Sequence, residues 1–169
     1  MKILISLLLT FNCYAIDCES NPIYCLIIKN KPLIDKHYAF KLSNRIYEVT
    51  KKYDIPKFIF TAIIAQESGY KLSAMSKITG LYQGKPTTII VDFGLTQINW
   101  RNVERYGFDV DRLTSDMVYS LEAGAIILAD FKRRYGKREK NFWSRYHASN
   151  NIRRSEYEKL VRRYLWKNM

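Results

Sequence analysis

From residue 36 onward the apolar positions of this chain follow the period of a helix. Ala39, Leu42, Ile46, Val49 and Tyr53 recur at spacings of three and four, which lines them along one face of an amphipathic helix. The residues YDIP interrupt the pattern. Pro56 suits the first turn of a following helix, where its missing N–H leaves no bond unmade. That stretch, PKFIFTAIIAQES, is apolar nearly all round, with Phe58, Ile59, Phe60, Ala62, Ile63, Ile64 and Ala65. A helix without a polar face belongs in the middle of a domain. Gly69 is its natural stop, since glycine takes the left-handed conformation that ends helices.

Residues 71–93 lose this period. KITGLYQGKPTTIIVDFG carries Gly80 and Gly84 ahead of Pro86 and the β-branched run Thr87 to Val91, which predicts a small β-hairpin or irregular loop near residues 75–93. Helical spacing returns from Met117 to Tyr135, where Met117, Leu121, Gly124, Leu128, Phe131 and Tyr135 share a face and Gly136 follows as a stop. Over residues 154–167, Tyr157, Leu160, Val161, Tyr164 and Leu165 fall on one side and arginines and lysines on the other. This predicts a docked C-terminal helix whose basic face is either solvated or holds an anionic polymer. The pattern as a whole reads as mainly α, a single helical domain with one small β element.

Residues 1–15, MKILISLLLTFNCYA, stand apart from that domain. Lys2, the apolar run Ile3 to Phe11 and the small-x-small Cys13-Tyr14-Ala15 have the three parts of a signal peptide. The run is too short for a permanent bilayer span; a buried N-terminal strand or short helix is the other reading. The expectation is an exported protein, periplasmic or secreted, whose folded domain occupies residues 16–169. At 169 residues with 47% hydrophobic positions, the chain is long and apolar enough to pack one core. Export changes the cysteine reading. Cys13 leaves with the signal, so Cys18 and Cys25 remain as an even pair for a disulfide, with two free thiols as the alternative. Two cysteines and the scattered His37 and His147 are too few for a zinc site, so no metal is expected.

Charge narrows the partners. Cleavage after residue 15 removes only Lys2 from a net charge of +12, with an isoelectric point near 9.6. A field of that sign favours polyanions: nucleic acid, anionic lipid or a cell-wall polymer bearing carboxylates. No nucleic-acid-binding motif is present, and export makes the wall the expected partner.

Glu67 closes the most apolar helix. There it meets the negative end of the helix dipole and apolar neighbours, and both disfavour its charge. A carboxylic acid that stays protonated near neutral pH is suited to general acid catalysis, although a solvated helix-end glutamate has the same local sequence. Further along, DFGLTQIN (residues 92–99) pairs a glycine with the amides Gln97 and Asn99. Those side chains supply the donors and acceptors that sugar hydroxyls and N-acetyl groups need.

ESG followed, across the β-rich stretch, by GLxQIN resembles the soluble lytic transglycosylase family, whose domain has a lysozyme-like α+β fold. The likeness runs from about Tyr53 to Leu165 and is greatest to small exported members that accompany conjugation or secretion machines or phages. It implies Glu67 as the single catalytic acid, followed by Ser68 as in the family's E-S pair. Gly94, Leu95 and Gln97 match the G-L-x-Q motif that lines the sugar groove, with Asn99 beside it. LEAGAIIL (residues 121–128) is similar to the family's A-G-x-x-I-L helix, which packs beneath the site. Tyr146 of RYHAS fits the Y-N-A-G tyrosine that faces the acid. The chain departs from the family at His147 (usually asparagine), Ser149 (usually glycine) and Ser120 (often asparagine), and in a longer stretch between Glu67 and Gly94.

The implied reaction is cleavage of the β-1,4 bond between N-acetylmuramic acid and N-acetylglucosamine in peptidoglycan glycan strands, with a 1,6-anhydro product. No cofactor is implied, nor any second protein chain in the active unit. Components of a secretion or conjugation apparatus are candidate partners. Two alternatives remain: a lysozyme-type hydrolase, for which Asp92 is the candidate second carboxylate unless it only fixes the turn before Gly94, and a non-catalytic wall-binding assembly factor.

Overall fold

The computed structural model describes residues 18–82 and 85–166, so the expected signal peptide lies outside the described residues. Asn21 opens helix α1 (Pro22–Asn30) by accepting a bond from the Tyr24 N–H at 3.0 Å, and Pro22 sits where its lack of an N–H is harmless. A disulfide joins Cys25 on this helix to Cys18, with Cα atoms 5.6 Å apart, and ties the preceding chain to α1.

Asp35 caps helix α2 (Lys36–Lys52) through the Tyr38 N–H, and the predicted face is inside: Ala39, Leu42, Ile46 and Val49 are buried. Tyr53 is the C-cap and is only partly buried. Helix α3 (Lys57–Ser68) begins one residue later than the sequence suggests, because Pro56 is its N-cap and not part of its first turn. Phe60 to Ala65 are buried, whereas Phe58 is 42% exposed with the Lys57 ammonium over its ring. Gly69 takes φ +57° and ends the helix with its N–H on the Ala65 carbonyl. Packed by α1, α2 and α7 (Asn151–Trp166), α3 is the central helix that its composition predicts.

Residues 71–93 form a hairpin: β1 (Met75–Tyr82) runs antiparallel to β2 (Lys85–Phe93), and the two-residue β3 (Ile98–Asn99) adds to the other side of β2. After the sheet come α4 (Trp100–Tyr106), α5 (Val110–Ser115), α6 (Met117–Tyr135), a 3-10 helix (Phe142–Tyr146) and α7. Helix α6 has the predicted bounds, with Leu121, Gly124 and Leu128 buried. Gly136 is the C-cap, the stop the sequence suggests, with a right-handed φ of −59° and its N–H on the Lys132 carbonyl. Three short helices, α1, α4 and α5, escaped the periodicity because each is nine residues or fewer. Their polar caps, Asn21, Asn99 and Asp109, were their only local signal.

The interior has two clusters. The larger joins Ile27, Leu42, Ile46, Phe60, Ile63, Leu121 and Tyr157; the smaller, under the sheet, joins Phe93, Ile98, Val103, Leu113 and Ile127. Leu95 belongs to the larger cluster while its neighbours Phe93 and Ile98 belong to the smaller, so residues 93–98 stitch the two together. The result is a mainly-α single domain with a small antiparallel sheet, the lysozyme-like architecture that the resemblance implies. Among the described residues no helix is long and apolar enough to cross a membrane.

Candidate active site

Glu67 occupies the last turn of α3, with one edge open to solvent and protein around most of its carboxyl group. The Tyr157 hydroxyl, from α7, donates to its Oε1 at 2.5 Å. Burial pushes the carboxyl pKa up to about 7; the Tyr157 bond opposes this, and the negative charge of Asp92 reinforces it. Near neutral pH this group therefore exchanges a proton readily, the property a single acid-then-base residue needs. Tyr157 is buried, and burial, together with the Glu67 charge, holds its phenol far above the ordinary tyrosine range, so it remains a donor.

Across the three strands, Ser76, Asp92 and Asn99 lie directly opposite one another. The Ser76 hydroxyl donates to Asp92 Oδ2 at 2.5 Å and the Asn99 amide to Oδ1 at 2.9 Å, one donor for each carboxylate oxygen. Asp92 is thus held in one orientation, partly exposed, with its charge acting on both Glu67 and Tyr146.

Residues 94–97 form a turn between the sheet and α6. Gly94 has φ +76°, and a Cβ there would lie 2.2 Å from the Leu113 carbonyl oxygen and 2.5 Å from Ser120 Oγ; only glycine fits. On α6, a Cβ at Gly124 would come within 2.6 Å of the Thr96 side chain. Ser120 Oγ accepts the Leu95 N–H at 3.0 Å. Gln97, itself at φ +48°, donates through Nε2 to the carbonyls of Ala74 and Gly94, which pins the turn to the start of β1. The Tyr146 hydroxyl donates to the Thr96 carbonyl at 2.9 Å.

The family model of the transglycosylase SLT domain matches residues 44–163, more than half of the chain. The chain belongs to this family. Searches of curated proteins and of solved structures return no match. Membership makes the protein a peptidoglycan transglycosylase by class.

Within this SLT domain the residues expected at the site divide into two kinds. Glu67 lies at the open edge. Leu95 is fully buried and Gly94 is enclosed, so both support the turn from within and present no side chain to a ligand. Asn99 is fully engaged: its Oδ1 caps α4 at the Arg101 N–H, and its amide donates to Val91 and Asp92. Gln97 keeps only its Oε1 without a partner among the described residues. The Ser68 hydroxyl turns back to the Ile64 carbonyl at 3.1 Å. Tyr146 senses the Glu67 charge but donates its hydrogen bond to the Thr96 carbonyl, and Tyr157 is the tyrosine that bonds the acid. Sequence reasoning placed Tyr157 only on an apolar helix face; its buried hydroxyl, which needs a partner, was the available signal. Ser76 was missed too, for its partner lies across a hairpin whose register the sequence did not specify. Among the described residues no group of three histidine, cysteine, aspartate or glutamate side chains could hold a metal ion.

Proposed function

We propose that this domain cleaves the β-1,4 bond between N-acetylmuramic acid and N-acetylglucosamine and releases a 1,6-anhydro end, with Glu67 as the one proton-transfer residue. The observation that carries this reading is a glutamate at an open edge, pushed up to about 7 by burial and bonded by a buried phenol. Protonated Glu67 gives its proton to the glycosidic oxygen as the bond to the anomeric carbon breaks. The N-acetyl oxygen of the same sugar supports the anomeric carbon from the opposite face. Glu67, now a carboxylate, takes the proton of the C6 hydroxyl, whose oxygen bonds to the anomeric carbon and displaces the N-acetyl oxygen. Protons balance, no water enters, and Glu67 returns to its starting state. Gln97 Oε1 is the amide acceptor left for sugar; Ser68 and Tyr146 line the same region.

Export by residues 1–15, a mature domain of residues 16–169, and local opening of the wall for a secretion or conjugation apparatus complete the proposal. The basic surface supports it, since a net charge of +12 draws the domain toward anionic wall polymers. Mass spectrometry of digested sacculi is the test. Anhydro-muropeptides are expected from the parent and none from Glu67→Gln, which loses at least about a hundredfold in rate. Clearing by Glu67→Gln at the parental rate would remove Glu67 from the mechanism.

One observation favours a second reading, hydrolysis. Asp92 is held by Ser76 and Asn99 with its charge acting on Glu67, so the site holds two carboxyl groups that influence each other. Reducing ends without anhydro ends, lost on Asp92→Asn, would establish the hydrolase.

A further inference from the structure

Among the described residues one phenol bonds the acid, and that phenol is itself held. Tyr157 reaches Glu67 from α7 with its ring tilted against Trp143 at 6.5 Å and stacked on His147 at 4.8 Å, the two planes only 8° apart. His147 immediately follows the 3-10 helix and is exposed. Its imidazole therefore lays one flat face against the phenol while the residue as a whole stays exposed. A tyrosine ring pivots about two side-chain bonds. Burial alone does not fix the direction of its O–H, whereas a parallel ring at stacking distance opposes that pivot.

Two carboxyl groups act on this cluster. Glu67 comes from α3 and Asp92 from β2, while Tyr146, on the same 3-10 helix, is a neutral phenol bonded to Thr96. The nearby guanidinium groups of Arg145 and Arg154 are both engaged by Glu139.

We propose that His147 is a positioning residue for the acid: stacked on Tyr157, it keeps the phenol aimed at Glu67 and thereby governs the proton affinity of that carboxyl group. The proposal rests on the reading of Glu67 as the acid. His147 stands where the family motif usually carries asparagine, a side chain without a ring to stack, so this support belongs to this chain's own sequence.

The test compares His147→Ala, His147→Phe, Tyr157→Phe and the double variant His147→Ala/Tyr157→Phe. Rates on soluble glycan-strand fragments are measured against pH, and the Glu67 carboxyl is titrated independently by carbon NMR. In His147→Ala, kcat falls about two- to tenfold, the weight of one aromatic pair, with KM unchanged. The carboxyl titrates about half a pH unit higher, because a swinging phenol no longer favours the carboxylate. His147→Phe keeps the stack and stays within about twofold of the parent. In the Tyr157→Phe background, removing His147 shifts neither kcat nor the titration any further. An unmoved titration in His147→Ala, even with a lowered melting temperature, overturns the proposal, as does a full effect without Tyr157. Activity in Glu67→Gln would instead overturn the reading beneath it, so the two failures are distinct.

Discussion

Replacing Glu67 by glutamine should stabilise the protein while silencing it, and the gain should depend on pH. An unfolded glutamate titrates near 4.5, and in the fold this one is pushed up to about 7, chiefly by burial. The folded state thus prefers the protonated form. The contribution of Glu67 to stability is fully present below pH 4.5 and is lost as pH rises through 7. A shift of this size makes the folded state about 3 kcal/mol less stable at pH 8 than an always-neutral side chain would leave it, and almost nothing less at pH 4. Glutamine is that neutral side chain. Its oxygen still accepts the Tyr157 O–H, so no buried donor is orphaned by the change.

For a domain of this length, a gain of that size raises the melting temperature on the order of 6–12 °C. Thermal unfolding of parent and Glu67→Gln, followed by circular dichroism from pH 4 to pH 8, reads it directly. The two curves should converge at the acid end and separate progressively between pH 5 and pH 7. A gap that is constant across the range would mean that the carboxyl group is not destabilised by its surroundings. The account of Glu67 as a neutral acid would then lose its physical basis.

The other predictions concern the scaffold and the charge. Gly94→Ala should cost about 2–5 kcal/mol, since its Cβ meets the Leu113 carbonyl oxygen at 2.2 Å with φ at +76°; chemical denaturation measures it, and a neutral result would mean that the turn can move away from α5. Gly124→Ala pushes on Thr96 at 2.6 Å and should cost about 1–3 kcal/mol, with lowered activity because the displaced turn carries Gln97. Cys25→Ser, opening a short loop to Cys18, should cost about 2 kcal/mol by the same measurement. Retention on isolated sacculi should fall as salt rises past physiological strength, where the Debye length drops below about 8 Å; salt-independent retention would show that the basic surface does not hold the wall.

The long helices were legible because burial imposes a period on the sequence. Ala39, Leu42, Ile46 and Val49 had to face inward together, and they do. Gly69 was legible because few residues other than glycine tolerate the left-handed conformation it takes. Glu67 was a candidate in the sequence because the end of an apolar helix disfavours a charged carboxyl group, and in the fold burial does raise its proton affinity. What lies opposite was not legible. Tyr157 and Glu67 are 90 positions apart, and the pattern of α7 specifies which face is buried but not which phenol meets which carboxyl group.

The same distinction explains why DFGLTQIN, read as a sugar-binding motif, is used mostly for docking. Gly94 and Gly124 leave room for backbone and side chains to meet, Gln97 pins the turn, and Asn99 both caps α4 and holds Asp92. A sequence motif marks positions where few residue types are tolerated, and close packing restricts choice as strongly as ligand contact does. Groups that touch substrate must keep unspent hydrogen-bonding capacity or exposed surface. By that criterion, the sugar contacts proposed above fall to Glu67 and Gln97 Oε1. The motif's glycines and Leu95 hold that surface in register from beneath.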